Sequence, residues 1–166
     1  MRAGRLGYMG KRNAMTEYYK TQLAKGLEYQ DFVMINLHKH GIVLQNIQSR
    51  KYQLKTENLL GMEIKFDDKM KETGNLYFET YEKSDPENAN YVMSGILRDD
   101  ECWLFAIGNY EEIFIFSKNR LKKIWKMLEA GKEVLKARRV QISTSIGMLI
   151  PVSEANIICE KRIMFK

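Results

Sequence analysis

The stretch Glu57-Asn58-Leu59-Leu60-Gly61-Met62-Glu63-Ile64-Lys65-Phe66 carries the alternation from which the rest of the chain is ordered. From Met62 onward apolar and charged residues take turns, the period of a β-strand. Met62, Ile64 and Phe66 therefore share one face, and Glu63 and Lys65 share the other. The Cα atoms of Glu63 and Lys65 then lie about 6.6 Å apart along the strand. A carboxylate and an ammonium so placed suit phosphodiester hydrolysis: the carboxylate ligates a divalent cation, and the lysine orients or helps deprotonate the attacking water. The carbonyl of Ile64 between them offers another oxygen ligand. The same tripeptide is also common as a solvated ion pair worth less than about 1 kcal/mol, so its surroundings matter.

Working outward, Glu57 lies six residues before Glu63. A tight turn at Leu60-Gly61 sets the two carboxylates on adjacent antiparallel strands, with Cβ atoms about 4.5–5.5 Å apart, near enough to hold one ion. Without a cation they repel. In the later run Asn75 to Tyr81, the residues Tyr77, Glu79 and Tyr81 share a face opposite Leu76, Phe78 and Thr80. Glu79 then sits either beside the same site or outward in solvent. Upstream, Tyr19, Leu23, Leu27, Val33 and Leu37 recur at sums of three and four, which predicts a helix from Thr16 to His40 that stops at Gly41. Between Leu27 and Val33 the helical step falls on Gln30, an amide aimed at the core and in need of a partner. Short alternating runs predict further strands at 42–48, 51–54, 91–97, 102–107 and 112–116, and a helix at 119–130 ending near Gly131. After Pro151 the run 154–165 alternates weakly, as a strand that closes the sheet.

The chain has 166 residues, 45% apolar and 29% charged, which is ordinary globular composition. No repeat or linker divides it, so one domain is expected, with a core over about 16–130 and a C-terminal extension over 131–166. No apolar run approaches the roughly 20 residues of a membrane span, and the first residues lack the apolar stretch of a signal peptide. A cytoplasmic protein without a membrane partner is the expectation. Cys102 and Cys159 form no CxxC pair and His38 and His40 are the only histidines, so any metal chemistry rests on oxygen ligands. The net charge is +6, yet the segment from Lys118 to Arg139 holds nine cations against Glu129 and Glu133, a local +7. That distribution fits a face for a polyanion such as DNA, with Lys118, Arg120, Lys122, Lys123 and Lys126 as its candidates; the plain alternative is a solvated helix face.

Taken together, these residues resemble the PD-(D/E)XK nuclease superfamily. Glu63-Ile64-Lys65 matches the (D/E)XK element, and Glu57 takes the place of the usual upstream Asp. The run Lys25-Gly26-Leu27-Glu28-Tyr29-Gln30, before a helix ending Leu37-His38-Lys39-His40-Gly41-Ile42, resembles the opening helix of archaeal Holliday-junction resolvases of that superfamily. Glu63 to Asp67, Thr73 to Glu79 and Ser94-Gly95-Ile96 are similar to small stand-alone nucleases often encoded by bacteriophages. The resemblance covers about residues 20–125. It implies an α/β (α+β) fold with a restriction-endonuclease-like αβββαβ core, a central mixed sheet flanked by helices. It also implies Mg²⁺ or Mn²⁺ dependence and hydrolysis of DNA to a 5′-phosphate and a 3′-hydroxyl. Glu57, Glu63 and the Ile64 carbonyl would hold the metal with Glu79 at hand, and Lys65 would orient the water. Symmetric cutting of a duplex would need a homodimer or paired sites. Two departures stand out: Glu57 replaces Asp at an unusually short spacing, and Gln30 stands where the resolvases carry a catalytic Glu. Glu28 or Asp31 would substitute for Gln30 in a rotated helix. An inactive DNA-binding module that keeps the fold is the alternative to the nuclease.

Overall fold

In the computed structural model, which describes residues 6–47, 49, 52 and 55–166, the alternating stretch forms strand β1 over Met62–Phe66. Helix α1 (Leu6–His38) precedes it; helix α2 (Met70–Thr73) and strand β2 (Asn75–Glu82) follow. The chain continues through β3 (Val92–Met93), a 3₁₀ turn (Gly95–Leu97), β4 (Leu104–Gly108), β5 (Glu112–Ser117) and α3 (Lys118–Glu129). It ends with β6 (Arg138–Gln141), β7 (Ser145–Pro151), α4 (Val152–Ile158) and β8 (Lys161–Met164). The architecture is mixed α/β, as the sequence predicts. The strands, however, divide between two sheets where one central sheet was expected. The order β1-β4-β5-β8 makes a mixed sheet in which β1 runs parallel to β4, and β3-β2-β7-β6 makes an antiparallel one.

This division explains the burial of β1. On one face of the mixed sheet, Met62 and Ile64 pack with Leu104, Ala106, Ile113 and Ile115 against Tyr29, Val33 and Leu37 of α1. On the other, Phe105, Ile107, Phe114 and Phe116 join Leu76 and Phe78 of β2, Met148 and Ile150 of β7, and Leu121 and Trp125 of α3. Both faces are thus covered, and burying each large side chain contributes roughly 1.5–3 kcal/mol. Glu63 projects from the second face and is fully buried, so the face read as solvated is an interior one.

Helix α1 is longer than its apolar stripe predicts and packs through only part of it. Tyr29, Val33 and Leu37 are fully buried, while Leu23 and Leu27 remain half exposed; the side chain of Tyr19 lies outside the described residues. At 1.5 Å per residue the helix spans about 50 Å, whereas a five-residue strand such as β1 spans about 17 Å, so the helix overruns the sheet it covers. The core position assigned to Gln30 belongs to Tyr29, whose hydroxyl donates to the Asn109 carbonyl at 3.2 Å. Gln30 is rotated to the flank.

Other expectations shift as well. Residues 42–47 form no strand beyond a single antiparallel bridge between Asn46 and Asn58. The strand predicted at 51–54 lies, apart from Tyr52, outside the described residues. The strand read at 91–97 is cut to two residues because Ser94 begins a 3₁₀ turn. Within 154–165 the chain first forms α4, with Pro151 supplying a fixed φ at the helix start, and only β8 joins the sheet edge, beside β5. The stretch 131–166 supplies β6, β7 and β8, and Ile146, Met148 and Ile150 of β7 lie in the core between the sheets. Among the described residues no helix is long and apolar enough to cross a membrane.

Candidate functional site

The turn before β1 begins the site. Gly61 has φ +67°, and a Cβ there would come within 2.7 Å of the Trp103 ring, so this corner needs glycine. The turn does not pair Glu57 with Glu63 across a hairpin as expected. Residues 57–59 instead run beside 45–47, through Ile47 N–H to the Glu57 carbonyl at 3.4 Å and Leu59 N–H to the Gln45 carbonyl at 3.1 Å. Among the described residues strand β1 pairs on one side only, with β4, and two side chains fill its other edge. The Asn58 amide bonds both backbone groups of Met62, at 2.7 and 3.1 Å, and the Glu57 carboxylate accepts the Ile64 N–H at 3.1 Å. The Ile64 carbonyl points the same way across the strand as its N–H and so faces this edge too.

Between that edge and α1 lies a cleft of about 350 Å³, whose lining includes Gln30, Glu57, Ile64, Lys65 and Phe66. Helix, turn and strand thus bring Gln30, Glu57 and Lys65 to one place. Glu28 and Asp31 are exposed and absent from this lining, which favours Gln30 as the helix residue of the site.

Behind the cleft three carboxylates meet three cations. Glu63 Oε2 accepts from Lys118 Nζ at 3.2 Å; Glu63 Oε1 lies 3.1 Å from Lys65 Nζ and 3.3 Å from Arg98 Nη2. Among the described residues Oε1 has no partner of good hydrogen-bond geometry, and this fully buried oxygen is held chiefly by the charges of Lys65 and Arg98. Arg98 Nη2 also donates to Glu57 Oε1 at 3.1 Å, which puts the guanidinium between the two carboxylates. Asp100 accepts from Arg98 Nε and Lys118 Nζ, both at 2.7 Å, and from the Cys102 N–H at 3.0 Å. Burial works against the Asp100 charge, but Lys118 and Arg98 outweigh it and hold the carboxyl below the usual aspartate range. Burial likewise opposes the Lys65 ammonium, and Glu63 and Glu57 overcome it, so its pKa is raised.

Lys118 therefore changes role. Read as a DNA contact, its side chain is only 2% exposed and serves two buried carboxylates. Arg120 is engaged too, with Glu160 at 3.2 Å and the Ile158 carbonyl at 2.6 Å. Lys122, Lys123 and Lys126 have no ion pair among the described residues, and the ammoniums of Lys123 and Lys126 stand on exposed helix surface. Arg98 and Asp100 escaped sequence reasoning because they sit in a loop without periodicity. The signal present was Ser94-Gly95-Ile96: Gly95 has φ +47°, and its bare Cα lets the turn approach the Glu79 carbonyl, which a Cβ would meet at 2.4 Å. That approach aims the following Arg98 at Glu57 and Glu63.

Glu79 stands at the border of the site. Its carboxylate accepts from Ser94 Oγ at 2.7 Å, and it feels the charges of Lys65 and Glu63. A bulge at Thr80 then turns β2, so Tyr81 leaves the face of Tyr77 and Glu79 and its ring lies 6.4 Å from that of Trp125. Burial raises the Glu79 pKa above the usual carboxylate value. A raised carboxyl means the folded state binds the proton more tightly, so the burial cost of the charge is present at pH 7 and is relieved as pH falls through the folded pKa. Glu79→Gln, which still accepts from Ser94, is expected to unfold at a higher temperature than wild type at pH 7. Melts from pH 7 down to pH 4 check this, with the gain shrinking toward the acid end.

For a hard divalent cation the donors are of the right kind: Glu57 and Glu63 oxygens, one of them lacking a hydrogen bond, and the Ile64 carbonyl. Glu79 is not gathered with them, and among the described residues no three acidic, His or Cys side chains converge as a metal cluster. Comparison with protein-family models, with curated proteins and with solved structures returned no match for this chain.

Proposed function

We propose that the chain is a metal-dependent DNA endonuclease of the PD-(D/E)XK type, with α1 and the mixed sheet as its restriction-endonuclease-like core. The observation that carries this reading is the meeting of Gln30, Glu57 and Lys65, from three separate segments, around one cleft backed by Glu63. Glu57, Glu63 and the Ile64 carbonyl would hold Mg²⁺ or Mn²⁺. The bound ion would lower the pKa of a water and offset charge on the scissile phosphate. Lys65 lines the cleft with its side chain 41% exposed and its ammonium 3.1 Å from Glu63 Oε1, from where it would donate to the attacking water or the phosphate oxygen. Gln30 donates or accepts a hydrogen bond there without adding charge. Cutting of a plasmid by the purified protein with Mg²⁺ or Mn²⁺, abolished by EDTA, is the expected result; an intact plasmid in every divalent metal tried would refute it.

The phosphate backbone would be gripped by the unpaired lysines of α3. Replacing Lys122, Lys123 and Lys126 together by alanine is expected to lower the log–log salt slope of duplex binding by about 3, read by anisotropy titrations between low and moderate salt. A second reading, an inactive DNA-binding module, is favoured by one observation: Arg98 Nη2 already stands between Glu57 and Glu63. It predicts salt-sensitive binding with no cleavage.

A further inference from the structure

We infer that Arg98 is a built-in counter-ion of the candidate metal site, and that its guanidinium and a divalent cation exclude one another from the space between Glu57 and Glu63. The inference rests on the nuclease reading for its purpose, though not for its chemistry. The six groups Glu57, Glu63, Asp100, Lys65, Arg98 and Lys118 sum to zero charge. Adding a divalent ion to a balanced, largely buried cluster brings two uncompensated charges into a medium that screens poorly, so one resident cation must leave.

Geometry selects which one. Lys118 is 2% exposed and bonded to both Glu63 and Asp100, and it has no route out of the interior. Lys65 touches Glu63 and, among the described residues, no other carboxylate at ion-pair distance. Among the described residues Arg98 alone reaches both Glu57 and Glu63 through a single atom, Nη2, at 3.1 and 3.3 Å, which is the place a shared cation would take. Its side chain is 35% exposed, so it has somewhere to go. Its contact with Glu63 Oε1 lacks hydrogen-bond geometry, and a hard cation is a good partner for a bare carboxylate oxygen.

The consequence is a site whose charge changes sign with occupancy. With Arg98 withdrawn, three carboxylates, two lysines and one divalent ion sum to +1, which favours a phosphate where the balanced cluster does not.

The test is Mn²⁺ affinity of the full chain, from the electron paramagnetic resonance signal of free Mn²⁺, for wild type and Arg98→Ala. Arg98→Ala is expected to bind Mn²⁺ tighter by roughly tenfold or more, since a competing unit charge is gone. Affinity equal to or weaker than wild type overturns the inference, and if wild type also cuts DNA with Mn²⁺ the nuclease reading survives that loss. Tight Mn²⁺ binding by Arg98→Ala, beside a wild type that neither binds Mn²⁺ nor cuts, supports the inference and removes the nuclease reading; no Mn²⁺ binding by either protein removes both. Should Arg98→Ala not fold, crystals of wild type soaked in Mn²⁺ decide. Metal between Glu57 and Glu63 with Nη2 withdrawn supports the inference, and metal there with Nη2 still touching both carboxylates, or no metal, overturns it.

Discussion

Lys118→Ala is expected to destabilise the protein by about 3–5 kcal/mol, the cost of leaving buried charges without their partner. Glu63 and Asp100 both give a carboxylate oxygen to this one ammonium, and both side chains are at most 1% exposed. Denaturant titration of the variant beside Lys123→Ala gives the contrast: Lys123 stands on the exposed surface of the same helix, so its loss should stay within about 0.5 kcal/mol. The acid limb of the stability profile should report the same cluster. Asp100 titrates below its ordinary value in the folded state, so its contribution is complete above pH of about 4 and is lost only as pH falls through the lowered pKa. Lys118→Ala should remove much of that acid resistance.

Lys65→Ala should instead cost less stability than Lys118→Ala and reduce cleavage by roughly 10²–10³-fold, the scale of losing one well-placed charged donor. Its side chain is 41% exposed against 2% for Lys118 and pairs with one carboxylate where Lys118 pairs with two, so the larger part of its loss would be chemical. Glu63→Gln is the companion variant. Glu63→Ala would open a hole and strand Lys118 in the interior, so a loss of activity there would mix two causes. Circular dichroism melts measured with the cleavage assay separate them: Lys65→Ala should remain folded at the assay temperature while losing activity. Wild-type cutting by Lys65→Ala would place the chemistry elsewhere.

The alternation of Met62–Phe66 was legible because one of its faces meets α1 in the way a period of two announces. What the period does not carry is the polarity of the other face. Nothing in Glu63-Ile64-Lys65 says that a second sheet covers it, because that sheet is built from β2 and from β7, eighty residues further on. Strand β7 went unread for the opposite reason: Ser145 to Met148 are buried in succession, so no alternation marks them. The helix carrying Gln30 is legible in the sequence, but it begins at Leu6, ten residues before the expected Thr16, and the core step before Val33 falls four residues back on Tyr29, whose hydroxyl bonds a backbone carbonyl, instead of three back on Gln30. Lys118 had a signal that went unused. A lysine opening a helix with no acid in the first turn is unfavourable against the helix dipole, and such a residue calls for carboxylates from elsewhere in the fold.

The free edge of β1 has a consequence for the protein in crowded solution. A strand with unpaired N–H and C=O groups is a template on which another chain can add, and proteins blunt such edges with charge or with side chains that occupy them. Asn58 and Glu57 do this here, taking the hydrogen bonds of Met62 and Ile64 that an incoming strand would otherwise seek. Glu57 is thus asked both to face the cleft and to guard an edge. Any substitution that spoils the first duty also unmasks a sticky strand, so self-association should accompany loss of Glu57 even where the fold is kept.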